Sequence, residues 1–235
     1  MFKHLDWDSQ FFNYKVALLD AKKIHSAIEM ESCLNELKKM HYKLAYSFIP
    51  SQNKELNEIA KQHGGSLVDT KTTFAISSVK GEEASKNIVS FLPDQPVKDV
   101  LDLAIESGIY SRFSKDKNFK NKEFERLYTE WITKSVNRQI ADEVLVYKEN
   151  NKILGLVTLK AEGINGQIGL IAVSPASRGK GIGMELMKAS HNWYLSKKLP
   201  TASVVTQGEN TLACKLYEKC GYHISDTKNI YHFWF

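Results

Sequence analysis

The chain is short of several things, and each shortage narrows what it does. It holds only three cysteines, Cys33, Cys214 and Cys220, in 235 residues. They form no CxxC pair and their number is odd, which argues against a disulfide scaffold and a zinc site. Cys33 and Cys220 fall instead on apolar helical stripes, where cysteine serves as a small buried hydrophobe. No apolar run approaches the roughly twenty residues that span a bilayer. The opening Met1-Phe2-Lys3-His4-Leu5-Asp6-Trp7-Asp8 lacks the apolar stretch of a signal peptide. The expectation is a cytoplasmic protein with no membrane partner. Arginine is scarce too, with four among 32 basic residues, at positions 112, 126, 138 and 178. In a chain so biased to lysine, a retained arginine suits forked binding of phosphate. Clustered charge of one sign is also missing: the net charge of +5 is scattered among alternating Lys, Glu and Asp. A nucleic-acid binder concentrates such charge in a stripe or patch. Anionic small molecules fit this balance better, and no metal site is expected.

What is present is a regular alternation of strand and helix signals. Tyr14 to Leu19 reads as a strand, and Met30, Cys33, Leu34 and Leu37 mark a helical face. Lys43 to Ile49 is a second strand; Leu56, Ile59, Ala60 and His63 give a helix closed by Gly64-Gly65, and Ser66 to Ser78 a third strand. This predicts a small βαβαβ domain over residues 1–80. Residues 81–96, with Gly81, a charged patch and two prolines, read as a linker, and residues 97–235 as the second domain. That part opens with two amphipathic helices, through Val97 to Ile105 and Phe124 to Val136. Strands at 143–148 and 153–160 follow, joined by Glu149-Asn150-Asn151-Lys152, a hairpin signal. A strand ending at Val173, a helix to about 197, a strand near 202–206, a helix from Asn210 to Cys220 and a final strand pair complete the order ααβββαβαββ. The fold class is α/β, with a mixed twisted sheet.

The most informative stretch is Val173-Ser174-Pro175-Ala176-Ser177-Arg178-Gly179-Lys180-Gly181-Ile182-Gly183. It follows the apolar run Ile168 to Val173 and opens a helix whose stripe is Ile182, Leu186, Ala189 and Trp193. Glycine lets backbone approach a ligand closely, and the free N–H groups of a helix start favour an anion. A P-loop is excluded, because no Ser or Thr follows a suitably spaced Gly-Lys. A dinucleotide fingerprint is excluded as well, because Gly181 and Gly183 are followed by Leu186 where a third glycine is needed. The plainer alternative is a tight strand-to-helix turn in which the glycines only permit packing.

The run Arg178-x-x-Gly181-x-Gly183 after a strand and Val-x-Pro resembles the coenzyme A loop of the GCN5-related N-acetyltransferase (GNAT) superfamily. Asn210-x-x-Ala213-x-x-Leu216-Tyr217-x-x-x-Gly221-Tyr222 resembles that superfamily's second signature. The resemblance implies an acetyltransferase sheet over roughly residues 94–235 and an acyl-CoA co-substrate, acetyl-CoA or a longer one, with no permanently bound cofactor. It implies that Arg178, Gly179, Lys180, Gly181, Ile182 and Gly183 hold the pyrophosphate. Backbone groups of Ile171, Ala172 and Val173 then pair with the pantetheine arm and meet the thioester. Asn210 contacts coenzyme A, and Tyr217 donates a hydrogen bond to the departing sulfur. A tyrosine near pKa ~10 passing its proton fully to a thiolate near ~8.5 works uphill by about 2 kcal/mol, so donation without transfer is the better reading. The plainer alternative keeps Asn210 as a helix cap and Tyr217 in an apolar stripe with Ala213, Leu216 and Cys220. Glu209, Glu162 and His191 are candidate general bases without further support.

The start Leu5-Asp6-Trp7-Asp8-Ser9-Gln10-Phe11-Phe12 and the segment Ser107 to Phe113, with Phe124-x-x-Leu127-Tyr128-x-x-Trp131, resemble the bacterial dTDP-fucosamine acetyltransferase branch. That resemblance implies N-acylation of a 3- or 4-amino group on a dTDP-linked amino-6-deoxyhexose for surface glycans. Ser111, Arg112 and Phe113 then border the acceptor, Arg112 as a fork for the diphosphate and Phe113 as a face for the base. The plainer reading makes Phe113 a core plug and Arg112 a helix-end charge. Two other functions stay open: acetylation of a protein N-terminus or polyamine, and a non-catalytic acyl-CoA-binding module. The aromatic C-terminal strand suits pairing in a homodimer.

Overall fold

The computed structural model describes residues 1–235. In chain order the first elements are β1 (Phe2–His4), α1 (Asp6–Phe12), β2 (Val16–Leu19), α2 (Ala27–Lys39), β3 (Leu44–Pro50), α3 (Lys54–Gln62) and β4 (Ser66–Ile76). Next come β5 (Ile88–Ser90), α4 (Lys98–Ser107), α5 (Arg112–Lys115), α6 (Glu123–Val136), β6 (Glu143–Glu149), β7 (Lys152–Glu162) and β8 (Asn165–Val173). A 3-10 turn (Pro175–Ser177), α7 (Ile182–Ser196), β9 (Thr201–Gln207), α8 (Thr211–Lys219) and β10 (His223–Trp234) follow. No helix is long and apolar enough to cross a membrane. The residues gather into two compact units, Met1–Thr72 with Gln207–Glu209 and Asp226–Phe235, and Thr73–Thr206 with Asn210–Ser225.

In the first unit β2 and β3 run parallel, with Val16 facing Leu44 and Leu19 facing Ser47. A parallel pair needs a crossover, and α2 supplies it. The chain end then pairs antiparallel with β3, from Lys228 facing Pro50 to Trp234 facing Leu44. Met30, Cys33 and Leu37 of α2 and Leu56, Ile59 and Ala60 of α3 bury their faces with Ala45, Ile49, Tyr231 and Phe233. Asn57 is the polar exception in this core. Its Nδ2 donates to the Pro50 and Asn53 carbonyls, and its Oδ1 accepts from Asn229 Nδ2 and the Tyr231 hydroxyl. A buried carboxamide with all its hydrogen-bonding capacity used is tolerable.

In the second unit β5, β6, β7 and β8 form an antiparallel run, and β9 adds to β8 in parallel. Asn150 and Asn151 turn the β6–β7 hairpin with φ of 48° and 61°. Two left-handed residues in a row match the twist of the strands, and asparagine adopts that conformation cheaply. Ile182, Leu186, Met187 and Tyr194 of α7 bury against Val157, Leu159 and Ile168. The helix α4 packs on β7 and β8 and against α6.

Several elements depart from the sequence expectation. The expected final strand pair is one continuous strand, β10, because the polar run Ser225 to Asn229 stays extended and only looks like a turn; from Lys228 onward the strand pairs with β3. Residues 81–96, expected as a linker, contain β5, which pairs with β6 through Ile88 facing Tyr147. A three-residue edge strand is too short to show a period. For the same reason β1 and the single turn of α5 escape a periodicity reading. Compactness also draws Asp226–Phe235 into the unit formed by the start of the chain, because an antiparallel partner can come from anywhere in the sequence.

Candidate functional site

The site begins where two strands part. β8 and β9 are in register only from Asn165 facing Thr201 to Ile168 facing Val204. Beyond Ile168, β8 runs on to Val173 beside β7 alone. A cavity of about 460 Å³ opens along this stretch. One wall is Ile171, Ala172 and Val173, and a second is the turn from Ser177 to Gly183. The third comes from α8 and its cap, through Asn210, Ala213, Leu216 and Tyr217, and the fourth from the end of α4, through Glu106, Ser107, Ile109 and Tyr110.

The turn joins left-handed glycines to a helix start that no side chain caps. Gly179 and Gly181 have φ of 78° and 81°, and an added Cβ would meet nothing within 4 Å at either. These glycines are therefore demanded by the left-handed backbone rather than by crowding. Gly181 is the N-cap of α7, and no side chain caps that helix. Its first N–H groups thus keep the positive helix end available to a ligand. Arg178 stands beside the turn and donates through Nη2 to Glu106 Oε1. Lys215 and Lys219, one helical turn apart on α8, add positive charge to the cavity wall. Lys180 is exposed and lies outside the lining.

Tyr217 sits at the inner side with 2% of its surface exposed. Its ring packs on Phe74 at 5.5 Å. Burial, reinforced by the neighbouring Cys214 and Cys220, pushes the phenol above its usual pKa. It is therefore a neutral donor. Asn210 caps α8, its Oδ1 accepting from the Ala213 N–H at 3.2 Å. The carboxamide oxygen spends one lone pair on the helix, so Nδ2 and the second lone pair of Oδ1 are left to serve a ligand. The apolar stripe expected on α8 lines the cavity at Ala213 and Leu216 rather than closing a core.

The other candidates fall elsewhere. Ser111, Arg112 and Phe113 come directly after the lining residue Tyr110 but are not part of the lining. Phe113 is buried against Phe119 and Trp131, with the Arg112 guanidinium 4.3 Å above its ring. Ser111 is buried with its hydroxyl unpaired. Among the candidate bases, His191 is 5% exposed, bonds the Tyr222 hydroxyl at 3.1 Å and lines a second cavity of about 430 Å³ with Lys188 and Cys220. Glu162 is held by Gln167, and Glu209 belongs to the first compact unit. Sequence reasoning missed Glu106, Tyr110, Lys215 and Lys219. The two lysines left a signal, a basic i,i+4 pair on the helix that carries Tyr217; Glu106 left none.

The resemblance noted in the sequence was to the acetyltransferases, and comparison with known proteins gives the same class. The chain belongs to the acetyltransferase (GNAT) family, which it matches over residues 105–222, half of its length. Spore coat polysaccharide biosynthesis protein SpsD of Bacillus subtilis is 26% identical over 144 residues, 60% of this chain and 50% of that protein. The dTDP-fucosamine acetyltransferase of Escherichia coli is 32% identical over 104 residues, 43% of this chain and 44% of that protein. The chain thus spans about half the length of these curated relatives. A GCN5-related N-acetyltransferase from Sphaerobacter thermophilus shares the fold, with a TM-score of 0.67 over 99% of this chain and 76% of the other at 16% identity.

Proposed function

We propose that this chain is an acyl-CoA-dependent N-acyltransferase that acylates the amino group of a dTDP-linked amino-6-deoxyhexose by direct attack in a ternary complex. The parting of β8 from β9 carries the reading, because it leaves backbone groups beside a cavity whose far end is an anion-binding turn. The acceptor nitrogen attacks the thioester carbonyl, and its electron pair moves onto the carbonyl oxygen. The N–H groups of Ile171 and Val173, which alternate with the β7-facing N–H groups of Leu170 and Ser174, are the donors proposed to stabilise that oxyanion, as fixed donors do where charge develops. Collapse breaks the C–S bond, and Tyr217 donates a hydrogen bond to the sulfur. The ammonium formed on the acceptor then releases the proton that the thiolate takes up.

The sugar acceptor draws support from two relatives, one named for dTDP-fucosamine and one for polysaccharide biosynthesis. A cationic polyamine suits the cavity less, because Arg178, Lys215 and Lys219 face it against the single carboxylate Glu106. The test is thiol release from a panel of acyl-CoAs, each offered with 3- and 4-amino dTDP sugars, a polyamine and a peptide amine. Release with a dTDP-amino sugar alone is the expected result. Release with the polyamine or peptide only would move the acceptor assignment, and none with any pair would refute the transferase reading.

A further inference from the structure

Thr158 stands in the middle of β7 with 2% of its surface exposed. Its Oγ1 accepts a hydrogen bond from the Leu170 N–H at 2.8 Å. That bond falls inside a break in register: Val157 faces Ile171 while Leu159 faces Ile168, so Gly169 and Leu170 together oppose Thr158. Two residues against one make a bulge, and the extra residue reverses which side of the sheet the later side chains take. Ile168 and then Ile171 and Val173 pack toward the core shared with Ile182 and Leu186. The first step in that series is three residues where an unbroken strand takes two. A Cβ on Gly169 would lie 2.8 Å from Thr158 Oγ1, so glycine leaves the room this contact needs. The bulge also marks the parting, since Ile168 is the last residue of β8 in register with β9.

We propose that Thr158 is a positioning residue for acyl transfer: its hydroxyl replaces a missing ladder acceptor and so holds the bulge that sets Ile171, Ala172 and Val173 along the cavity. This rests on the N-acyltransferase reading above. Thr158 does not line the cavity, so it acts through β8 and not by touching substrate. Valine in its place keeps the shape and removes the acceptor, which leaves a buried N–H without a partner. The backbone relieves that loss by shifting, and the atoms that shift adjoin the thioester end of the wall. The phosphate end is held separately, at the turn through Gly179 and Gly181.

The experiment compares wild type, Thr158→Val and Thr158→Ser by steady-state kinetics, calorimetric CoA binding and hydrogen exchange at the Leu170 amide, with thermal melts to confirm folding. In Thr158→Val the Leu170 amide exchanges faster, and kcat falls about tenfold while the CoA dissociation constant stays within about threefold, the pattern of an interaction expressed in the transition state. Thr158→Ser restores both kcat and protection. Wild-type kcat and protection in the valine variant would overturn the proposal, as would a serine variant no better than valine, which points to methyl packing. If wild type transfers nothing to any amine, the transferase reading fails, and Leu170 exchange decides the hydroxyl's role alone: unchanged protection in the valine variant overturns it.

Discussion

Replacing Tyr217 by phenylalanine deletes one oxygen and leaves the packing on Phe74 in place. Burial has raised the phenol's pKa, so passing the proton to sulfur is even less favourable than the reference values make it, and the hydroxyl acts as a donor only. A hydrogen bond to a charged acceptor contributes about 1.5–3 kcal/mol. If that contact exists only as the thiolate forms, kcat falls by roughly tenfold to a hundredfold, at about 1.4 kcal/mol per decade. Donor KM changes little, since the ground-state thioester sulfur carries no charge to stabilise. The fold is spared, because a phenylalanine ring keeps the contacts with Phe74 and Tyr222. Thiol release at saturating acyl-CoA gives kcat, and calorimetry gives CoA affinity separately. The wild-type pH profile adds a check of sign. A phenol with a raised pKa stays protonated up to and beyond its usual value near ~10, so Tyr217 imposes no alkaline fall below that pH. A variant with wild-type kcat, or one losing only CoA affinity, refutes the donor role. No turnover in wild type or variant, with an unchanged response to acyl-CoA in both, would favour a binding module.

The glycine turn, a buried histidine and the acceptor side give three further outcomes. Gly181→Ala forces a residue with a Cβ to hold a φ of 81°, costs about 1 kcal/mol and raises donor KM. Gly183→Ala, in the first helical turn, sets a Cβ 3.2 Å from the cavity-lining Leu216 Cδ2 without backbone strain and is expected to raise donor KM less than Gly181→Ala does. For His191, burial lowers the pKa below 6.5, against the raising effects of Glu82 and the Lys80 backbone. The unfolded chain then binds the proton more readily, so its stabilising effect is complete above pH 6.5 and is lost as pH falls toward the folded pKa. His191→Gln therefore flattens the acid side of a plot of melting temperature against pH; an unchanged slope refutes the assignment. Arg112→Lys loses the stacking over Phe113 and is expected to raise acceptor KM with donor kinetics unchanged. Unchanged acceptor kinetics remove Arg112 from the site.

Much of the fold was legible because its core faces are periodic. The stripes through Met30, Cys33 and Leu37 and through Ile182 and Leu186 are buried as the spacing implies, since a helix of several turns has one face that must leave water. The hairpin at Asn150-Asn151 was legible for another reason, the rarity of residues that tolerate positive φ. Neither signal exists for β5 or α5, which are shorter than a period. Nor does one exist for the union of β10 with β3, which joins residues far apart in the sequence, as Trp234 with Leu44 shows.

The same division runs through the site. Recognition by backbone forces particular residues on the chain, because φ of 78° and 81° and an uncapped helix start call for glycine at 179 and 181, and glycines spaced in that way can be read directly. Recognition by side chains forces much less. Tyr110 and Glu106 line the cavity as ordinary residues of a helix end, and Phe113, whose aromatic run suggested a ring offered to a ligand, is used for packing on Trp131. The contact between Thr158 and Leu170 is quieter still, since a threonine and a glycine in adjacent strands occur everywhere. Only the register shift makes them a device: one inserted residue changes the side from which the strand presents Ile171 and Val173, and it does so at the residue where β9 leaves. The parting of the strands and the register shift therefore coincide at one place in β8, and under the proposal above a hydroxyl on β7 holds both.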